Sequence, residues 1–154
     1  MPEPRRTTLV DEPRPVLGLP GGAFVVLVAV EVADDVVLTL SATGPAADDA
    51  RARSLEEHDA WARRVRAALD AGRRDTMEPP PRRPADDLSD LGVELTDDVG
   101  TTYGWVRGVA GHEDDAWRYV LELRPAPPAA ARALRIRVGD GEPVVLDLPP
   151  RDGR

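Results

Sequence analysis

The chain has 154 residues, a formal net charge of −8 at pH 7 and no cysteine. This length suits one domain with a single core. The lack of cysteine excludes disulfides, thiolate zinc sites and cysteine nucleophiles, and the net negative charge argues against general affinity for nucleic acid.

The N-terminal segment, residues 1–22, is rich in proline and ends in the turn sequence Leu19-Pro-Gly-Gly. We predict that this segment is extended or loosely ordered, with a short edge strand at residues 7–10. The apolar run at residues 23–30 is too short to span a membrane, and no small-residue cleavage site follows it. We therefore expect a soluble cytoplasmic protein without a membrane partner.

Two β-branched runs, residues 24–32 and Val36–Thr43, predict the first hairpin. The connection Ala33-Asp34-Asp35 suits a hairpin because aspartate tolerates the left-handed backbone region. The first run is apolar at successive positions, which is typical of a central strand that is covered on both faces. We expect the opposing sheet to cover one face, and the helix described next or an oligomer partner to cover the other.

Ser54-Leu-Glu-Glu57 has the pattern of a capping box and predicts a helix over about residues 55–71, with Gly72 as its stop. Residues 73–90 follow it and contain Glu78-Pro-Pro-Pro, which favours a polyproline II spacer along the surface. Apolar and aromatic side chains recur at helical spacing on one face of the predicted helix: Leu55, His58, Trp61, Val65, Ala68 and Leu69.

The β-pattern returns at residues 91–95 and 101–106. Apolar residues then occupy every second position in three further runs, which is the period of half-buried strands. We predict a mainly β, antiparallel two-sheet sandwich of seven or eight strands over residues 23–150, with a helical insertion at 46–90 and a tail at 151–154. The three runs are Trp117/Tyr119/Leu121/Leu123, Leu134/Ile136/Val138 and Val144/Leu146/Leu148.

One local motif, Asp97-Asp98-Val99-Gly100-Thr101-Thr102-Tyr103, suits a tight turn whose carboxylates accept backbone amides. A proline-containing corner at residues 123–128 precedes the strand pattern of residues 131–138. Together these motifs resemble small bacterial immunoglobulin-like β-sandwich domains, over residues 23–43 and 91–148. The resemblance implies an immunoglobulin-like fold and, by analogy, a binding or accessory module; the helix and its spacer depart from it.

Acidic residues in the predicted turns raise the question of a metal site, since the loops at one end of a sandwich can supply oxygen ligands for calcium. No EF-hand pattern is present, so we predict no metal and no cofactor. A calcium-binding or small-ligand-binding sandwich stays open as the alternative function. The acids in question are Asp34/Asp35, Asp97/Asp98, Glu113/Asp114/Asp115 and Asp140/Glu142.

The two histidines have no nucleophile motif to serve, because G-x-S-x-G, H-E-x-x-H, G-x-G-x-x-G and the phosphate-binding P-loop are all missing from the sequence. We predict that His58 lies partly buried at the edge of the helix face. His112 is predicted to be a solvated loop residue. The sequence therefore predicts no catalytic residue and no enzyme.

The aromatic side chains are few, so Trp61, Trp105 and Trp117 are each predicted to fill a gap in the core. For Trp61 the alternative is an anchor at an interface, because tryptophan and arginine are enriched at interaction hot spots. The predicted function is a non-enzymatic interaction or accessory module whose partner is another protein or a second copy of the chain. The predicted interaction residues lie on the helix: Trp61, Arg63, Arg64 and Arg66.

Overall fold

The computed structural model describes residues 5–112 and 114–151. In this part of the chain, nine strands and two α-helices follow one another along the sequence. The strands are β1 (Thr7–Thr8), β2 (Arg14–Leu19), β3 (Ala23–Val32), β4 (Val36–Thr43), β5 (Val93–Asp97), β6 (Gly104–Ala110), β7 (Tyr119–Arg124), β8 (Ala133–Val138) and β9 (Val144–Asp147); the helices are α1 (Pro45–Asp70) and α2 (Pro84–Leu91).

The strands form two sheets. The larger has six strands in the order β1-β3-β4-β7-β6, with β2 also paired to β3, and the smaller has three in the order β5-β8-β9. Every pairing is antiparallel, and the predicted hairpin runs from the pair Val32 and Val36 to the pair Phe24 and Thr43. The mainly β, two-sheet architecture is therefore confirmed.

The core lies between the two sheets, where the alternating apolar side chains of each strand meet. Leu27, Leu38 and Leu40 of the larger sheet are fully buried, as is Leu88 of α2. The alternation fixes the buried face because successive side chains of a strand point to opposite sides. The five side chains that the pattern places deepest are all buried, as predicted: Leu121, Leu123, Leu134, Ile136 and Leu146.

Helix α1 begins ten residues earlier than the capping-box pattern predicted. Its N-terminal cap is Gly44, at φ +105°, and Pro45 occupies the first turn. Ser54 lies inside the helix and is buried, so the predicted start there is wrong. Proline at the first helical position has the required φ already set, and a side chain at Gly44 would meet the carbonyl of Gly22. The predicted stop at Gly72 is confirmed by its φ of +71°.

Helix α2 begins within residues 73–90, where the prolines had predicted only a spacer, and ends at Leu91. Pro84 occupies its first turn, and the carboxylate of Asp86 accepts the backbone N–H of Arg83 at 2.8 Å. Leu88 anchors the helix in the core. A proline-rich segment thus ends where one proline starts a helix. The strand predicted from residue 91 begins instead at Val93.

Two parts of the N-terminal segment pair with β3. Strand β1 is shorter than the predicted edge strand, and β2 adds a second pairing, with a bulge between Pro15 and Leu17. Bulges of this kind are how an edge strand accommodates proline. Residues 1–4 and most of the predicted tail, 152–154, lie outside the described residues. Within the described residues, neither helix is both long and apolar enough to cross a membrane.

Candidate functional site

The second half of α1 extends beyond the sandwich, so the helix does not cover the larger sheet. At 26 residues α1 is about 39 Å long, and its buried residues, Ala47 and Ser54, belong to the first half. Trp61 is only partly buried. Its Nε1 donates to the carbonyl of Glu78 at 3.0 Å, and its ring meets that of His58 edge-on at 6.5 Å. The prediction that Trp61 plugs the core is therefore wrong.

The arginines predicted for interaction lie on this projecting half. Arg63 and Arg66 are exposed, whereas Arg64 pairs with the carboxylate of Glu78 at 3.1 Å. The segment around Glu78 thus folds back against the helix near Trp61. The chain's own proline-rich segment occupies part of the surface that the sequence assigned to a partner. A role of these residues in interaction stays a prediction.

The turn after β5 uses its carboxylates internally. Oδ1 of Asp97 accepts the N–H groups of Val99 and Thr101, both at 3.0 Å, and Oδ2 accepts the hydroxyl of Tyr103 at 2.8 Å. Burial alone would raise the pKa of Asp97, but hydrogen bonds from Thr101, Tyr103 and Val99 outweigh it and lower the pKa to about 2. Burial raises the pKa of Tyr103 above its usual range. This motif holds a turn together, as predicted.

Two further turn acids, Asp35 and Asp115, are also engaged within the chain. Arg6 donates to Asp35 at 2.9 Å, and Asp115 accepts the hydroxyl of Ser41 at 2.6 Å and Nε of Arg51 at 3.0 Å. Across residues 5–112 and 114–151, no three histidine, aspartate or glutamate side chains are grouped so that they could hold a metal ion. The four acidic turns do not converge in the described chain.

We accordingly expect calcium to leave the melting temperature unchanged. A ligand that binds only the folded state raises the melting temperature by mass action. Asp35, Asp97 and Asp115 already accept hydrogen bonds, and no three acidic side chains of the described chain are grouped for a metal ion. The measurement is thermal unfolding in millimolar calcium chloride and in a chelator. A rise of several degrees with calcium that the chelator reverses would contradict this expectation.

The larger sheet presents most of its second face without cover from the described helices and strands; Arg51 of α1 reaches only its end at Ser41, which is buried. We call it the outer face: Val28, Ala29, Glu31, Val37, Thr39, Arg107, Val109, Val120 and Glu122. Register places Glu31, Val37, Glu122 and Arg107 in one row across four strands. Of the two covers expected for this face, α1 or an oligomer partner, α1 supplies only the end at Ser41, because none of its described residues after Ser54 is buried.

Most of the outer face is apolar, and its charges are unevenly spread. Glu122 is only 7% exposed and lies between Arg107, at 2.7 Å, and Arg124, at 3.1 Å. One carboxylate between two guanidinium groups leaves a net charge of +1 on the β6–β7 side. Among the described residues Glu31, on the β3 side, has no ion-pair partner.

Strand β6 forms one edge of this sheet and carries exposed apolar side chains. Trp105 is 64% exposed, so its prediction as a core residue is wrong, and Val106 and Val109 are exposed as well. Trp117, by contrast, is buried, as predicted. Trp105 pairs with Leu123 at the end of the edge strand, where no further strand lies beyond it. Position in the sheet, rather than the alternation, decides its exposure.

A cleft of about 560 Å³ opens between the first half of α1, Arg83 and the loop from β6 to β7. His58 and His112, which the sequence treated separately, both line it. Residue spacing gave no signal for this site, because its three walls come from distant parts of the chain. The cleft is lined by Asp48, Arg51, Ala52, Ser54, Leu55, His58, Arg83, His112, Asp114 and Ala116.

Comparison with known proteins identified no relative of this chain. No protein-family model, no curated protein and no solved structure matches this chain. The outer face and the cleft are therefore the two features from which a function can be inferred.

Proposed function

We propose that this chain is a non-enzymatic interaction module that associates with a second copy of itself through the outer face. The observation that carries the proposal is an apolar sheet face left uncovered in the single chain. Val37, Thr39 and Val120 lie half-buried at its centre, with the exposed Val109 beside them. A strand that is apolar on both faces needs cover on both, and only one face has it here.

The proposed fold is an immunoglobulin-like sandwich, and the strand order supports it. Immunoglobulin constant-type domains pair strands A-B-E-D in one sheet and C-F-G in the other. Lettering β3 to β9 as A to G reproduces both sheets, with order β3-β4-β7-β6 and order β5-β8-β9. Strands β1 and β2 and the two helices are then additions to this frame. Faces of such sandwiches are common interaction surfaces, which is an argument by analogy.

Charge complementarity favours a second copy as the occupant. A two-fold axis parallel to the strands, midway between β4 and β7, would lay the β3 side of one copy over the β6 side of the other. Because Glu31 and Arg107 belong to the same row, Glu31 of each copy would then face Arg107 of the second copy. The β3 side, with the unpaired Glu31, would thus face the β6–β7 side, with its net positive charge, and this contact would occur twice in one dimer.

The area of the outer face determines how tightly the two copies are expected to associate. Four strands spaced about 4.8 Å apart and six residues long give a face of about 400 Å² per copy. Stable protein interfaces bury about 800 Å² per partner, so the proposed dimer is weak and depends on concentration. Sedimentation velocity over a range of protein concentrations is the appropriate measurement.

Val120→Lys is expected to abolish self-association, because it places a charge at the centre of the outer face. Val145→Lys is the matched control, since Val145 is exposed on the smaller sheet. Glu31→Arg is expected to weaken the dimer by several-fold, and Asp34→Arg in the exposed hairpin turn makes the same change of net charge away from the face. Both control variants should sediment like the parent.

The same sedimentation experiment tests whether the surface of α1, rather than the outer face, forms the contact. Replacing Arg63, Arg64 and Arg66 by alanine should leave sedimentation unchanged if the outer face is the contact. Loss of the dimer in this triple variant, with Val120→Lys unaffected, would move the contact to α1 and overturn the proposal. A parent that stays monomeric at every concentration tested would overturn it as well.

A further inference from the structure

We propose that the cleft beside α1 binds a small organic carboxylate with an apolar body. This inference does not depend on self-association, because the cleft is lined by α1, Arg83 and the β6–β7 loop rather than by the outer face. Three observations carry it: an arginine without a carboxylate partner, two histidines with fixed hydrogen-bonding roles, and an apolar wall.

The first observation concerns Arg83, which is half-buried at the cleft. Its Nε donates to Nε2 of His58 at 3.2 Å, and no ion pair to Arg83 occurs within the part of the chain that the structure describes. A side chain at Gly111 would collide with the arginine, so the bare glycine backbone makes room for it. The terminal nitrogens of Arg83 are therefore left for an acceptor from outside.

Of the other charged groups that line the cleft, Asp48 and Arg51 are paired, and Asp114 lies beside His112 with 93% of its side chain exposed. Arg51 reaches Asp48 at 2.9 Å and Asp115 at 3.0 Å, and it also donates to the carbonyl of Ala42. A half-buried guanidinium without a counter-charge is costly, and a carboxylate satisfies two of its N–H groups at once. The group missing beside Arg83 is thus a negatively charged, planar one.

The histidines add one donor and fix the position of the arginine. Nδ1 of His58 lies 2.8 Å from the carbonyl of Ser54, so it carries the proton, and Nε2 is the acceptor for Arg83. His58 is therefore a positioning residue. Nδ1 of His112 accepts the N–H of Asp114 at 3.2 Å, which leaves its Nε2–H as a donor at the mouth.

The remaining wall is apolar and explains why an organic body is expected rather than inorganic phosphate. Leu55 is 62% exposed on the helix, and Ala52 and Ala116 line the cleft with it. A volume of about 560 Å³ lies in the range of small-molecule sites, which combine apolar walls with a few placed polar groups. One carboxylate on an aliphatic or aromatic body matches this lining.

Benzoate is the probe, and the imidazole resonances of the tag-free protein are the reporter. The chain has only two histidines and both line the cleft, so saturable shifts of both resonances are expected. The neutral analogue benzamide is expected to bind at least tenfold more weakly than benzoate. Arg83→Gln should weaken benzoate binding by at least tenfold.

Ala52→Leu tests the cleft without touching the arginine, which keeps the proposal falsifiable should Arg83→Gln fail to fold. Leucine is a good helix former, and its side chain would fill the cleft, so benzoate binding should fall by at least tenfold. Ala62→Leu, at an exposed position of the same helix, should bind benzoate like the parent. Equal binding of benzoate and benzamide, tighter binding of inorganic phosphate, or an unaffected Ala52→Leu variant would each overturn the proposal.

Discussion

Replacing Trp117 by alanine is expected to lower the free energy of unfolding by about 3 to 5 kcal/mol. Trp117 is 7% exposed, and its Nε1 donates to the carbonyl of Ala47 at 2.9 Å, which ties the first turns of α1 to the start of β7. The substitution removes a large buried ring together with this hydrogen bond. For a domain of this size the melting temperature should fall by about 10 °C.

Trp61→Ala, on α1, is the matched control, because it removes the same kind of side chain without opening the core. Trp61 is partly exposed and hydrogen-bonds only to the backbone of Glu78. We expect a loss of no more than about 1 kcal/mol in the free energy of unfolding. Chemical denaturation of both variants measures the difference. An equal loss for Trp61 and Trp117 would mean that the helix packs on the sandwich differently from the arrangement described.

The second large effect is the pH dependence that Asp97 confers. Its pKa is about 2 in the folded state and 3.8 as a reference value. Because the folded pKa is the lower one, the carboxylate stabilises the fold above pH 4 and this contribution is lost as the pH falls from 4 to 2. Asp97→Asn should therefore lower the free energy of unfolding by about 1 to 2 kcal/mol at pH 7, after allowance for solvent screening.

The comparison of parent and Asp97→Asn across pH isolates this carboxylate. The difference in unfolding free energy should shrink through the same interval and vanish below pH 2, where Asp97 is protonated in the folded state as well and both side chains are neutral. Tyr103→Phe should remove part of the effect, because its hydroxyl donates to Asp97 at 2.8 Å. Asp140→Asn, in an exposed turn, should change stability by less than about 0.5 kcal/mol. A difference that stays constant from pH 7 to pH 2 would refute the role of Asp97.

The sequence by itself determined the antiparallel hairpin, five buried positions of the core and the turn at Asp97. These features follow from local rules: an alternation of period two decides which side chains share a face, and aspartate accepts nearby amides in a tight turn. The stop of α1 at Gly72 is local in the same sense, since glycine takes the left-handed conformation without strain.

The candidate sites could be predicted only in part from local sequence rules. Both histidines and the apolar character of β3 were identified from the sequence. Sequence patterns did not bring His58 together with Arg83, 25 residues later, or with His112, which line the same cleft. No spacing rule connects these residues, because they meet only when α1, α2 and the β6–β7 loop pack together. The outer face likewise depends on which elements cover the sheet.

Only the tertiary structure decided where the helices begin and which tryptophan is buried. Ser54 has a good capping pattern, yet packing of Ala47 and Trp117 favours an earlier start after Gly44 and buries Ser54 within α1. Trp61 and Trp117 are chemically alike, but one lies on a helix that extends beyond the sandwich and the other faces its core. Whether a side chain is buried depends on the residues that long-range packing places around it. Local sequence patterns do not specify those residues.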